Sequence, residues 1–248
     1  GKPDWTHAEQ VQLLAVDRTN NTIRVRRGCY GTKPLVLAAG QAYAAAHCTE
    51  GPWGRKSNLL WFYNYSTACP RDAQGRACSD VWVAHLGELF GPRGPLAAFD
   101  GLEFDVLFNS HATRGRRGPD CDADGKADGG VLDGVNIYGA GVVEFCRQLR
   151  ARLGDRKIIQ GDGALGRVVN TSQRAFHVLN GIESEGWPHL SDHAARDWSG
   201  GLNRHSFWQA NARAPVFNYI NHKFIEPGKG PGEERTPDVP FNIHRLVF

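Results

Sequence analysis

Two stretches place same-face carboxylate pairs in runs that otherwise read as buried strands. In "FDGLEFDVLFNS", Phe99 to Ser110, residues two apart point the same way, so Gly101, Glu103 and Asp105 share one side and Leu102, Phe104 and Val106 the other. "GIESEGW" repeats the pattern, with Glu183 and Glu185 opposite Ile182 and Ser184. A carboxylate inside a fold is costly unless it is paired, hydrogen-bonded or used. In a parallel barrel the C-terminal ends of the strands meet over one mouth, where Asp105 and Glu185, the later member of each pair, face a common pocket. Two carboxylates across a pocket are what glycosidic cleavage requires. One attacks or activates water, and the other, kept protonated by like-charge repulsion and desolvation, donates to the leaving oxygen. The competing reading is that these acids pair with Arg or cap neighbouring loops.

Aromatic residues fit a sugar at the same rim. Trp61, Tyr63 and Tyr65 share one face of "NLLWFYNYS", and Trp187 follows the second acidic pair. Sugar rings present apolar C–H faces that such rings can carry, although each ring alone is also an ordinary core residue. Asp162 in "QGDGA" ends another strand and is a further pocket candidate, and His222, on the face of Asn218 in "FNYINHK", can bond a hydroxyl. A separate signal is "DCDADGKAD". Asp120, Asp122 and Asp124 stand at loop positions one, three and five before Gly125, Lys126 offers its carbonyl at seven, and Asp128 stands at nine. This spacing wraps a hard cation such as calcium, with a structural role. It departs from an EF-hand at position twelve, where Val131 stands, and Asp133 substitutes only if the loop closes differently. The sequence contains no His or Cys cluster suited to a catalytic transition metal.

Short apolar strands alternating with helices must position these groups. The strands are "NLLWFYNYS", "FDGLEFDVLFN", "KIIQGDGA", "HVLNGIESEGW" and "APVFNYINHKF"; the helices are "SDVWVAHLGELFG", capped by Ser79 and stopped by Gly91, and Tyr138 to Leu153, ended by Gly154. Such alternation predicts an α/β fold with a parallel sheet, and polar strand ends with no Gly-rich phosphate turn favour a (β/α)8 TIM-type barrel over an open doubly wound sheet. Only five strands are legible, so the barrel is expected to be incomplete in this chain. Residues 11 to 31 read as a β-hairpin turning at Asn20-Asn21, so residues 1–56 form an N-terminal extension or insertion and 57–248 the catalytic domain.

The chain has 248 residues, 41% hydrophobic and 22% charged, enough for a sizeable core. Its formal net charge of +3 is dispersed, and the densest basic cluster, "RGRRG", reads as a solvated loop, so nucleic acid is not an expected partner. No window approaches the ~20 apolar residues of a membrane span, and no charged-then-apolar leader opens the chain. Six cysteines include Cys29 with Cys48 and Cys69 with Cys78, each bracketing a short segment. Local disulfides, and hence a secreted or envelope location, are expected. Cys146 lies instead on an apolar helical face with Val142, Phe145, Leu149 and Leu153, as a buried thiol. Sequons at Asn20, Asn64 and Asn170 matter only in a eukaryotic secretory route.

The block from "LLWFYNYS" through "FDGLEFDVLFNS", "GAGVVEFCRQLRARLG", "IIQGDGA" and "GIESEGWP" resembles the barrel glycoside hydrolases grouped as hypothetical glycosyl hydrolases, and more distantly the endo-α-1,4-polygalactosaminidase family. The resemblance covers roughly residues 57 to 248 and leaves the hairpin aside. It implies a carbohydrate substrate, Asp105 as nucleophile and Glu185 as proton donor, with Glu103 and Glu183 competing for these roles. A reading from another class is a non-catalytic carbohydrate-binding barrel whose acids only accept hydrogen bonds from sugar hydroxyls. A metal-dependent hydrolase needs ligands converging inside the barrel, and the sequence presents none.

Overall fold

The structure, a computed structural model, describes residues 7, 9–29, 32–42, 63–110, 120–124, 126–163, 173–185 and 198–221. The chain divides into two compact units, Gly1–Cys78 with Thr113–Ile137, and Ser79–Ala112 with Tyr138–Phe248.

In the first unit, strands β1 (Gln12–Asp17) and β2 (Thr22–Arg26) form the expected antiparallel hairpin. Asp17 closes its turn: Oδ1 accepts the N–H groups of Thr19 and Asn20, and Oδ2 accepts Asn20 Nδ2. At the hairpin base Glu9, its side chain 2% exposed, accepts hydrogen bonds from Arg27 and from the amides of Gly28 and Leu35, at 2.7 and 2.9 Å. Tyr63 to Ser66 are not a strand. Asn64 Oδ1 accepts the Ser66 N–H at 3.0 Å, a local turn that competes with a sheet ladder, and Asn64, Tyr65 and Ser66 are all buried. Burial also removes Asn64 from glycosylation, since its Nδ2 donates to the Cys121 carbonyl. A small second hairpin, β4 (Val131–Leu132) and β5 (Val135–Asn136), turns on Asp133 and Gly134, both with positive φ, as an Asp-Gly turn between two strands demands. Asp133 is thus a turn residue.

The second unit holds helices α1 (Cys78–Leu89), α2 (Ile137–Leu153) and α3 (Trp198–Asn211) and strands β3 (Gly101–Phe104), β6 (Ile158–Asp162), β7 (Gly181–Glu185) and β8 (Tyr219–Asn221). The strands form one parallel sheet in the order β3-β6-β7-β8, so each is added beside its predecessor. This is the parallel α/β arrangement the alternation predicts, in four strands among the described residues. Helix α1 starts one residue before Ser79. Helix α2 ends as expected, with Gly154 at φ 72 and its N–H returned to the Arg150 carbonyl. Val142, Phe145, Cys146 and Leu149 on α2 are fully buried, as are Ile159 and Ile182 of the sheet, and Phe104 meets Phe145 edge to face at 5.4 Å. Period 3.6 on the helix thus meets period 2 on the strands along one apolar seam.

The expected local disulfides are not formed among the described residues. Cys29 Sγ donates to the Arg26 carbonyl and Cys69 Sγ to that of Pro70, while Cys78 is drawn into the first turn of α1; Cys48 lies outside the described residues. Cys146 is buried as predicted, and burial pushes its thiol up to about 12. No described helix is long and apolar enough to cross a membrane.

Candidate functional site

Parallel pairing sets which side chains share a face. Glu103 stands beside Gln160, and Asp162, Glu183 and Tyr219 form the next row, all on the side opposite Phe104, Ile159 and Ile182. Tyr219 donates its hydroxyl hydrogen to Glu103, with the oxygen 2.6 Å from both Oε1 and Oε2. Strands β3 and β8 are three spacings apart, roughly 14 Å in a flat sheet, and side chains standing perpendicular to it could not meet across that span. The bond therefore requires the sheet to curl around its polar face. Within this concavity Glu183 is 8%, Gln160 6% and Asp162 3% exposed, whereas Glu103 is open to solvent.

This grouping perturbs proton affinity. Burial, the charge of Glu183, a direct hydrogen bond to Glu183 and the charge of Asp105 all raise the Glu103 pKa, burial most; the Tyr219 hydroxyl opposes them. Burial, Glu103 and Glu183 push Tyr219 far above the usual phenol range, so it remains a donor at any physiological pH. Glu103 therefore holds its proton to higher pH than an ordinary carboxyl group.

Of the residues singled out by sequence, Glu103 and Glu183 are brought together. Asp105 is exposed in the turn after β3, within electrostatic reach of Glu103. Glu185 closes β7 in register with Asn221; its side chain lies outside the described residues, as do Trp187 and His222. Asp162 is buried at the end of β6 and its Oδ2 accepts the Val106 N–H at 2.6 Å. Tyr63 and Tyr65, their rings 6.3 Å apart, belong to the first unit, and the strands that carry the acids belong to the second. Sequence reasoning missed Tyr219 and Gln160. Asn218 does not face the acids: its Oδ1 accepts the Ile182 N–H and its Nδ2 donates to Gln209, whereas Tyr219, one residue on, bonds Glu103. The alternation Tyr219, Asn221 carried the signal.

The acidic loop belongs to the first unit. Carboxylate oxygens of Asp120, Asp122 and Asp124 lie within 4.8 Å of one another, a spread that oxygens 2.3–2.6 Å from one calcium ion can span. Asp128 does not join them. Its Oδ2 accepts the Cys121 N–H and its Oδ1 the Gly130 N–H, both at 2.6 Å, so it braces the loop as a strut. Lys126 is exposed; its N–H donates to Asp124 Oδ1 and its Nζ lies 3.8 Å from Asp124 Oδ2. Asn64 Nδ2 and Ser66 Oγ both donate to the Cys121 carbonyl, anchoring the start of the loop.

No family model, curated protein or solved structure matches the chain.

Proposed function

We propose that the second unit is the catalytic part of a (β/α)-barrel glycoside hydrolase in which Glu103 is the proton donor. The observation that carries this reading is a solvent-open carboxyl group with a raised pKa, held by Tyr219 against a buried second carboxylate inside a curled sheet. A general acid needs a proton held above the ordinary carboxyl range and access to the leaving oxygen; burial and Glu183 supply the first at Glu103 and its exposure the second. Glu183 acts on it as the neighbour that raises the pKa, because the two are in direct contact, tighter than the about 5–5.5 Å that separates the carboxyl groups of a retaining pair. The second reacting carboxylate is Asp105, exposed in the turn beyond Glu103 and the nucleophile that the family resemblance implies.

The test is reducing-end release from a panel of α- and β-linked polysaccharides, polygalactosamine included. Glu103→Gln is expected to lower turnover by about 10²–10⁴-fold. Activity depends on protonated Glu103, so it is present at low pH and lost as pH rises through the raised pKa. Glu183→Gln removes a charge that raises that pKa and moves the alkaline limb to lower pH. Full activity in Glu103→Gln rejects the assignment. A wild-type chain that binds glycans at this face without cleaving any is the carbohydrate-binding protein that the close Glu103–Glu183 contact also suits.

For the first unit we propose a structural calcium ion held by Asp120, Asp122 and Asp124, on the convergence of their oxygens. Calorimetric titration with calcium is expected to show one site that Asp122→Ala removes; heat-free titration of the wild type rejects it.

A further inference from the structure

Val106, just past β3, has φ 61. For a β-branched residue this left-handed conformation is a genuine outlier, and it persists only where its surroundings over-determine it. Three contacts do so. Asp162 Oδ2 accepts the Val106 N–H at 2.6 Å, the Phe108 N–H returns to the Val106 carbonyl at 3.0 Å, and Gln173 Nε2 donates to the Leu107 carbonyl at 2.6 Å. Only the first acts on Val106 from a different strand through a charged group, and that group is 3% exposed. The charge of Asp162 in turn favours the ionised form of Arg204 on α3, whose guanidinium is otherwise penalised by burial. A buried carboxylate, supported by a cation, thus sets the backbone of the turn that carries Asp105.

We propose that Asp162 is a positioning residue: it clamps Val106 in the left-handed conformation and so aims Asp105 beside Glu103. This role replaces the substrate contact that the position of Asp162 at a strand end suggests, and its catalytic consequence rests on the hydrolase reading above. A buried carboxylate occupied by a backbone N–H serves the turn, whereas the exposed Asp105 and Glu103 meet the sugar.

Three variants separate positioning from mere stability. Asp162→Ala releases the clamp and is expected to lower kcat by about ten- to a hundredfold with KM changed less than about twofold. Adding Val106→Gly to Asp162→Ala recovers much of the lost turnover, because glycine reaches this φ without the steric cost that valine needs the clamp to offset. Asp162→Asn, which keeps a carbonyl oxygen for the Val106 N–H, recovers it too. A second readout needs no substrate. The groups facing Glu103 are Glu183, Tyr219 and Asp105, and release of the turn withdraws only Asp105. NMR titration of the Glu103 carboxyl group is therefore expected to move down in Asp162→Ala and back up in the Val106→Gly double variant. A kcat within twofold of wild type in Asp162→Ala, or a raised KM at unchanged kcat, overturns the proposal. Should the wild-type chain cleave no glycan, the hydrolase reading falls while the titration still decides the clamp, an unmoved Glu103 midpoint overturning it.

Discussion

The two ends of the parallel sheet treat buried charge in opposite ways. At the end where the strands begin, Arg150 is 8% exposed and every donor nitrogen finds a neutral acceptor. Nε bonds the Val178 carbonyl, Nη1 those of Gly154 and Lys157, and Nη2 the Asn180 side chain. Asn180 passes the connection on, accepting the Ile159 N–H and donating to the Arg213 and Pro215 carbonyls, so one pair of side chains ties together the approaches to β6, β7 and β8. At the end where the strands finish, Glu103 and Glu183 crowd together with one phenol hydrogen between them, and Val106 is held in a strained conformation. Satisfied polar groups anchor a fold, and conflicting ones store free energy that only a reaction or a ligand relieves. The contrast therefore sets a satisfied anchor at one end against crowded, perturbed carboxyl groups at the other.

Arg150→Met gives the strongest test of that division. It removes four hydrogen bonds from a charged donor, three part-buried and one buried, and a loss of about 3–5 kcal/mol is expected in chemical denaturation of the second unit. A loss below about 1 kcal/mol would remove the anchor from the strand-start end. Glu103→Gln probes the other end and has the smaller, opposite effect. The folded-state pKa of Glu103 lies above its unfolded value, so its contribution is fully present below the unfolded pKa and lost as pH rises through the folded one. The Gln variant does not titrate. It should match the wild type at low pH and exceed it at pH 7, by at most about 0.5 kcal/mol because Glu103 is open to solvent screening. Thermal unfolding at the two pH values reads this difference. A variant less stable than the wild type at pH 7 would show that the acidic cluster supports the fold.

The parts of this architecture carried by periodicity were legible. The greasy and acidic faces of "GLEFD" and "GIESE", the apolar stripe of α2 with Cys146 inside it, and the Gly154 stop all follow from spacing of 2 or 3.6. Contacts made by single polar atoms over long sequence separations were not. Nothing in "HVLNG" marks Asn180 as a hub, because its partners lie 21 to 35 residues away. Tyr219 was lost to a one-residue phase error in a three-residue strand, where alternation has too few positions to set its own phase. Tyr63 to Ser66 read as a strand because their alternation is real, but the Asn64 side chain supplies the backbone with a closer partner than a neighbouring strand. The Asp133-Gly134 pair is itself a hairpin-turn signal, with positive φ at both residues.

The bond between Tyr219 and Glu103 joins residues 116 positions apart, one on the first described strand of the sheet and the other on the last described one. Contacts of such separation form late, after the chain between them has been ordered. During synthesis Glu103 emerges long before its phenol, and until β8 docks no hydroxyl opposes the rise that burial and Glu183 impose on its pKa. The hold of Tyr219 on Glu103 is thus a property of the finished winding, and a chain cut short before Tyr219 would carry both glutamates without the donor that restrains the first.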